Sequence, residues 1–385
     1  MRRRFAAALA AVVAGLLVAP SIARAEAPAP PVIEVYTMGP GPTLPERFGH
    51  AALCVRHPTR PAWDRCYDYG AFDASEPLSL GYRFLRGESV FFVAVRDPEL
   101  MVRDYIGRDR TIWRQELPLS DEQARRAAAI LERDARPENR YYHYHHYFDN
   151  CATRVRDIVD EVADGALASI ADDESEQRTF RDFTREGFAE FPWLLVASDV
   201  VLGRAVDVRV DAYERMFLPE FLRRGIDEAF DLRTEVIYQR QDEPFPSRPG
   251  PRSPVFLLAG LALLAMVSGT GLWGRGERVA LAVVAAPLSL LGLLLWTAAV
   301  ISPLPEIRYN ELLLVFMPTD AALPWLSERR RQIYAMARIA GIFAALAFGL
   351  LGAFAQPVAH PAALATSAMV GIVGTPAWRA WWRSR

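Results

Sequence analysis

Three residues carry the chemistry worth testing: Cys151, His50 and Asp68. Cys151 ends the run YYHYHHYFDN (141–150) and is followed by ATRVRDIVD. A cysteine there could be a small buried hydrophobe, half of a disulfide, a metal ligand or a nucleophile. Apolar residues after it fall at Ala152, Val155, Ile158, Val159 and Val162, which is helical spacing. Asp149 or Asn150 is suited to cap that helix, so Cys151 is expected in its first turn. Unpaired N–H groups and the positive end of the helix dipole favour a thiolate at such a position. The same N–H groups could form an oxyanion hole. A nucleophile also needs a base, and the base needs a group that orients it. His50 in RFGHAALCV is the best candidate base, with Gly49 allowing close backbone approach, and Asp68 is the candidate orienter. The structural reading of each stands beside this. A histidine at a strand start is more often structural, His143, His145 and His146 alternate among tyrosines as a polar edge would, and Arg154 and Arg156 suit an ordinary helix face.

The cysteines sharpen the question. The chain has three, Cys54, Cys66 and Cys151. An oxidising compartment favours pairing, and an odd number leaves one over. AALCV (51–55) and DRCYDYG (64–70) read as two strands joined by the loop RHPTRPAW. In an antiparallel hairpin with Cys54 opposite Cys66, alternation puts His50, Ala52 and Cys54 on one face with Cys66, Asp68 and Gly70. Ala52 then faces Asp68 and His50 faces Gly70, which makes His50 and Asp68 diagonal neighbours. A slip of one residue destroys that arrangement. Pairing Cys54 with Cys66 leaves Cys151 free. A metal site is the weaker reading of Cys151, because no second cysteine or carboxylate cluster stands at structural-zinc spacing.

The ends of the chain indicate where this chemistry is done. MRRRFAAALAAVVAGLLVAPSIARA has a basic start, an apolar run and a small-x-small cleavage pattern, the signature of a secretory signal peptide. The expected organisation is a signal peptide at 1–25, an exported domain with a helical extension at 26–240, a Pro-rich linker at 241–253 and a helical membrane region at 254–385. Spans are expected near 254–273, 279–301, 334–355 and 357–378. Arg275 and Arg278 mark the first short loop as cytoplasmic, which leaves the large domain outside. Four spans would leave Arg329–Arg331 and the C-terminal WRAWWRSR outside as well, whereas a crossing by ELLLVFMPTDAALPWL (311–326) would place both inside. That segment is short and holds Pro318, Asp320 and Pro324, so the expectation is four spans plus an interfacial or re-entrant segment. A net charge of −2 gives no nucleic-acid signature. SDEQARRAAAILERD (120–134) reads as a helix opened by a Ser120–Gln123 capping box. FPWLLVASDVVLG (191–203) suits a core helix or one dipping into a lipid surface.

FGHAALCV (48–55), YDYGAFD (67–73), FLRGESVFFV (84–93), RQELPLSDEQ (114–123) and ENRYYHYHHYFDNCATRVRDIVD (138–160) resemble, in this order, the N-terminal periplasmic domain of the Lnb-type lipoprotein N-acyltransferases. LGRAVD (202–207), MFLPEFL (216–222) and RYNELLLVFMP (308–318) extend the likeness. The resemblance implies an α+β fold of the permuted papain-like kind, similar to the NlpC/P60 and lecithin:retinol acyltransferase group. In that fold a His-bearing strand precedes the Cys-bearing helix, and a small antiparallel sheet packs on that helix. It further implies Cys151 as nucleophile, His50 as base and Asp68 as the third polar residue. Arg154, Asn150 and Tyr69 are candidate substrate contacts, with Arg154 suited to a lipid phosphate. The family's Asn-x-Asn-Leu-Leu phrase is present here only as Tyr-Asn-Glu-Leu-Leu (309–313).

The function expected is a periplasmic, inner-membrane, multi-pass thiol acyltransferase that needs no cofactor and no metal. It would take an acyl chain from a membrane phospholipid and pass it to the N-terminal amine of a lipoprotein. The alternatives are a cysteine hydrolase on the same site, acting on phospholipid or peptidoglycan, and a non-enzymatic membrane scaffold with an inert Cys151.

Overall fold

The computed structural model describes residues 29–73, 75–246, 248–250, 253–273 and 276–383. The expected signal segment at 1–25, and Arg275 of the expected basic loop, lie outside them.

A seven-stranded antiparallel sheet organises the first part of the chain. Its strands are β1 (Val32–Met38), β2 (His50–Arg56), β3 (Arg65–Ala71), β4 (Val90–Arg96), β5 (Ile112–Glu116), β6 (Tyr141–His143) and β7 (Glu235–Tyr238), in the order β6-β4-β3-β2-β1-β5-β7. The α-helices of eight or more described residues are α1 (Pro77–Leu85), α2 (Pro98–Gly107), α3 (Asp121–Asp134), α4 (Cys151–Val162), α5 (Phe180–Gly187), α6 (Pro192–Val201), α7 (Pro219–Phe230), α8 (Ser253–Trp273), α9 (Glu277–Ile301), α10 (Glu328–Leu350) and α11 (Ala359–Arg383). The Tyr- and His-rich run forms a strand only over Tyr141–His143 and then turns.

Alternation along the strands builds two cores. Val35, Ala51, Leu53, Tyr67, Tyr69 and Val93 face α3, α4 and α7. Tyr36, Met38, Ala52, Cys54 and Cys66 face Met101 and Tyr105 of α2. The apolar stripe of α4, Val155, Ile158, Val159 and Val162, is buried against the first of these cores. Each such side chain contributes roughly 1.5–3 kcal/mol on burial. Ser120 and Gln123 close the capping box at the start of α3, with bonds of 3.3 and 3.0 Å.

Helices α8, α9, α10 and α11 occupy the four places where spans are expected. By length and composition α9 and α10 can cross a membrane, while the apolar stretches at 254–269 and 359–374 are shorter. Helix α6 links the two parts. Its Leu195 is buried, Val196 and Val200 pack into the core of the helix bundle, and Trp193 is exposed.

The segment 302–327 does not lie across the ends of these helices. It runs antiparallel to α9 for most of that helix's length. Trp296 Nε1 donates to the Leu313 carbonyl at 3.2 Å. Gly292 lies under Phe316, where a Cβ would come within 2.9 Å of the Phe316 carbonyl oxygen. Ala282, Ala285 and Ala286 line a cavity with Ala321 and Pro324. Arg331 reaches Glu277, at the start of α9, at 2.7 Å. Tight 3-10 turns over Glu311–Leu314 and Pro318–Trp325 leave carbonyls without the partners an α-helix supplies. Arg338 of α10 serves two of them, Leu314 and Val315. The same guanidinium pairs with the fully buried Asp320 at 2.9 Å, and the Tyr334 hydroxyl donates to that carboxylate at 2.6 Å. Breaking a buried pair strands a charge and costs about 3–5 kcal/mol. Asp320→Ala should lower the thermal stability of the full chain in detergent by that order, while an exposed carboxylate such as Glu99 should tolerate alanine with little change.

Candidate active site

The site assembles at one end of the sheet. The register of β2 on β3 pairs Ala52 with Asp68, Leu53 with Tyr67 and Cys54 with Cys66. Cys54 and Cys66 form a disulfide, and Cys151 is the remaining free thiol. His50 Nε2 lies 2.6 Å from Asp68 Oδ1, with both side chains largely buried. Arg96 stands behind Asp68, with Nη1 at 3.6 Å from Oδ2, and is itself tied to Asp104 at 2.9 Å. Tyr105 of α2 stacks on the His50 ring at 6.1 Å between centroids.

Cys151 comes from the opposite face. It opens α4, whose N-terminus is capped by Asn150: the side-chain oxygen accepts from Ala152 N at 2.8 Å and Thr153 N at 3.0 Å. The partly buried Cys151 lies beside the His50 ring and near the Ala51 N–H, both of which favour its ionised form. With Nε2 engaged by Asp68, Nδ1 is the ring nitrogen left for the sulfur. Gly70 makes the meeting possible. A Cβ there would lie 3.6 Å from Cys151 Cβ and 3.7 Å from His50 Cε1, so any longer side chain would fill the gap. Its φ of +105° is also one that side-chain-bearing residues rarely adopt.

The charges reinforce one another. Burial acts against ionisation of the Cys151 thiol, yet His50 and the Ala51 N–H together bring it below the ordinary thiol value. Burial likewise acts to lower His50, but Tyr105, Asp68 and Cys151 raise it well above the usual imidazole value. Burial acts to raise Asp68, and His50 with Arg96 hold it below the usual carboxylate range. All three shifts run in the direction that favours a thiolate beside an imidazolium beside a carboxylate. A thiolate so placed can attack a carbonyl carbon, and the imidazolium can protonate the group that leaves.

The three candidate substrate contacts are each engaged by groups of the protein itself. Tyr69 is fully buried on the α4 face, its hydroxyl on Asp134 at 3.0 Å, because alternation turns it away from Asp68. It has no face to offer a substrate. Asn150 is consumed by capping, since its amide also donates to the carbonyls of His146 and Phe217. Arg154 is partly exposed but held as a fork on Asp149, at 2.5 and 2.7 Å, above the Tyr142 ring. The N–H groups of Ala152 and Thr153 are taken by the cap, so they form no oxyanion hole.

Sequence reasoning missed Arg96, Tyr105 and the tie to the helix bundle. His145 and Asp149 exchange backbone bonds of 2.9 and 3.0 Å, closing the turn that delivers Cys151. Glu306, on the segment after α9, reaches His145 Nε2 at 2.8 Å. His146 is packed among Phe48, Tyr147 and Phe217, and burial pushes its imidazole down to about 4. It stays neutral near pH 7 and is not a second base of ordinary strength.

The pH dependence of alkylation checks the charge state. In the folded protein the midpoint for reaction of Cys151 with iodoacetamide should lie below that of an ordinary thiol. His50→Ala should move it up, because the cation that holds the thiolate is gone. An unmoved midpoint would dissolve the pair.

A family model described as the Lnb N-terminal periplasmic domain matches residues 21–185. No curated protein and no solved structure matches the chain.

Proposed function

From membership in the Lnb family, which residues 21–185 carry, we propose that this membrane-associated protein is a periplasmic thiol acyltransferase of permuted papain-like fold. The observation that carries the proposal is the Cys151–His50–Asp68 array, with Asp68 2.6 Å from His50 and Cys151 meeting the same ring across Gly70. The Cys151 thiolate attacks the ester carbonyl of a membrane phospholipid. A C–S bond forms, the ester C–O bond breaks, and the leaving alkoxide takes the proton of His50. The products are a thioester and a lysophospholipid. The α-amine of a lipoprotein's lipidated N-terminal cysteine then attacks the thioester. A C–N bond forms, the C–S bond breaks, and His50 accepts the proton lost by nitrogen. Thiolate and imidazolium are thereby restored. Asp68 holds the ring in orientation throughout, and Arg96 holds Asp68.

The helix bundle, in this reading, holds the site at the lipid surface. In this reading α8, α9, the segment 311–326, α10 and α11 each cross the bilayer. Arg278 and Arg329–Arg331 then lie on the cytoplasmic side with the basic C-terminal sequence, as the positive-inside rule requires. The antiparallel path of 311–326 along α9 supports that count, and irregular backbone is tolerated at membrane depth where protein groups serve its carbonyls, as Arg338 does. Reporter fusions test it. A fusion at the C-terminus should be fluorescent as a cytoplasmic reporter and inactive as a periplasmic phosphatase, with the reverse at the 352–356 turn. A periplasmic C-terminus would remove the fifth crossing.

Mass spectrometry tests the chemistry. The purified full chain, incubated with phospholipid, should carry an acyl adduct on Cys151 that hydroxylamine removes. Cys151→Ser and His50→Ala should lack it. Transfer of that acyl chain to water alone, never to an amine, would replace the acyltransferase by a hydrolase. A Cys151 that takes no adduct and resists iodoacetamide in the folded state would leave a scaffold.

A further inference from the structure

Helix α6 has its faces reversed for a helix in water. Trp193, Ala197 and Val201 recur every fourth residue and so share one face. Trp193 is 65% exposed, and Val201 is exposed as well. The opposite face, which carries Leu195, Ser198 and Asp199, is buried. There Arg185 meets the Asp199 carboxylate at 2.7 Å, and the Ser198 hydroxyl donates to the Leu195 carbonyl at 3.0 Å. Single exposed apolar residues are ordinary on a protein surface. A helix that buries its one carboxylate and turns its indole outward is the reverse of the usual arrangement. Such a face suits an apolar medium outside it.

The place of α6 in the fold names that medium. Val196 and Val200 join the apolar core of the helix bundle. Gln356, in the turn between α10 and α11, donates to the Asp199 carbonyl at 3.3 Å. Asn310, beyond the end of α9, donates to the carbonyls of Val200 and Val201 at 2.8 and 3.0 Å. Helix α6 therefore lies where the bundle's helices end on the domain's side. Helix α1 reaches the same level from another part of the domain. Arg86, just past α1, donates to the Ile301 carbonyl at 3.5 Å, and a Cβ on Gly87 would come within 3.0 Å of Leu304. Tyr82 and Phe84 of α1 are exposed. Between these anchor points in sequence, Glu306 holds the turn at His145, whose Phe148 is exposed as well.

The stretch 301–310 thus carries α1, the Cys151 turn and the end of α6, and it directly follows α9, a helix long and apolar enough to cross a membrane. Side chains with an apolar body and a polar edge, tryptophan and tyrosine above all, are favoured where a bilayer meets water. Resting on the membrane reading of the bundle, we infer that the domain itself docks on the leaflet at its own side, through α6 and α1. Both lie in the headgroup layer, with Trp193 and Tyr82 as anchors. The partner is the lipid surface, and the contact is additional to the spans. The Cys151 turn, held at Glu306 on the same stretch, is thereby set against lipid.

Depth-dependent quenching tests this without any chemistry at Cys151. The full chain carrying Cys151→Ser receives one reporter cysteine, is labelled with an environment-sensitive fluorophore and is placed in phosphatidylcholine–phosphatidylglycerol nanodiscs. The Cys54–Cys66 disulfide keeps the other two sulfurs out of the labelling. The reporters are Ala197→Cys on α6 and Tyr82→Cys on α1. Leu290→Cys, exposed in the middle of α9, is the reference for a span, and Glu99→Cys on α2 is the reference for water. The labels at 197 and 82 should be quenched roughly twofold or more strongly by a nitroxide high on the lipid acyl chain than by one near its end, as an interfacial helix requires. The label at 290 should show the opposite order. The label at 99 should respond only to aqueous iodide. Labels at 197 and 82 that behave as the one at 99 does overturn the inference and leave the spans. Labels there that neither lipid nitroxides nor iodide reach overturn it in favour of a protein partner on this face. A label at 290 open to iodide and closed to both nitroxides sinks the membrane reading, and the inference with it.

Discussion

The pairing register of β2 on β3 is the constraint on which the site depends. With Ala52 opposite Asp68, His50 lies at the strand end diagonal to that carboxylate, and the two meet at 2.6 Å. A shift of one residue would turn His50 to the α4 face and Asp68 away from it. The Cys54–Cys66 disulfide, two rungs along the same face, forbids the shift. It also closes a loop of 12 positions, which restricts the unfolded chain by an amount worth about 2–3 kcal/mol. The bond therefore acts on the geometry of the His50–Asp68 pair without touching the thiol. It holds the ladder in the only register that pairs the histidine with its carboxylate.

The sheet separates His50 and Asp68 from Cys151 and then lets them meet. His50 and Asp68 rise from the face covered by α2, whereas Cys151 heads a helix packed on the other face. They can touch only at the sheet's end, where β3 bulges between Tyr69 and Ala71. The residue in that bulge is Gly70, which has no side chain to come between them. The Cys side is fixed by a different set of bonds. Asn150 caps the helix, the His145–Asp149 turn leads into it, and Glu306 ties that turn to the segment following α9. Cys151 is thus anchored to the helix bundle, while His50 is anchored to the sheet. Displacement of the bundle against the domain would act on the distance between them.

This division explains what could be read in the sequence. Alternation and helical spacing are local patterns, and they yielded the hairpin, its register, a cap at Asp149 or Asn150 and the helix from Cys151. The same local rules mislead where one residue has two duties open to it. Asn150 looked available to a substrate, but capping and two further carbonyls exhaust its amide. Tyr69 lies next to Asp68 in sequence, and alternation alone sends it to the other side. Arg96, Tyr105 and Glu306 reach the site from elements far along the chain, and no spacing rule ties them to His50 or Cys151. The segment 311–326 was ambiguous because its prolines and Asp320 argue against a helix. It is indeed not an α-helix, and its company is supplied by Arg338 from the next helix.

The basic residues show how such irregular backbone is held. All 44 are arginine, and the chain has no lysine. Several are buried, and their forks end on carbonyls of turns. Arg181, 1% exposed, binds the carbonyls of Ser198, Leu202 and Gly203 together with Asp207. Arg110 takes that of Gly39, Arg47 that of Gly41, and Arg338 those of Leu314 and Val315. An ammonium is a compact point charge that hydration favours, and it cannot reach three carbonyls and a carboxylate from one plane. The guanidinium can, and it remains charged when buried. A fold that runs non-helical chain beside its site and through its helix bundle needs donors that are rigid, multiple and permanently ionised. Arginine meets all three requirements.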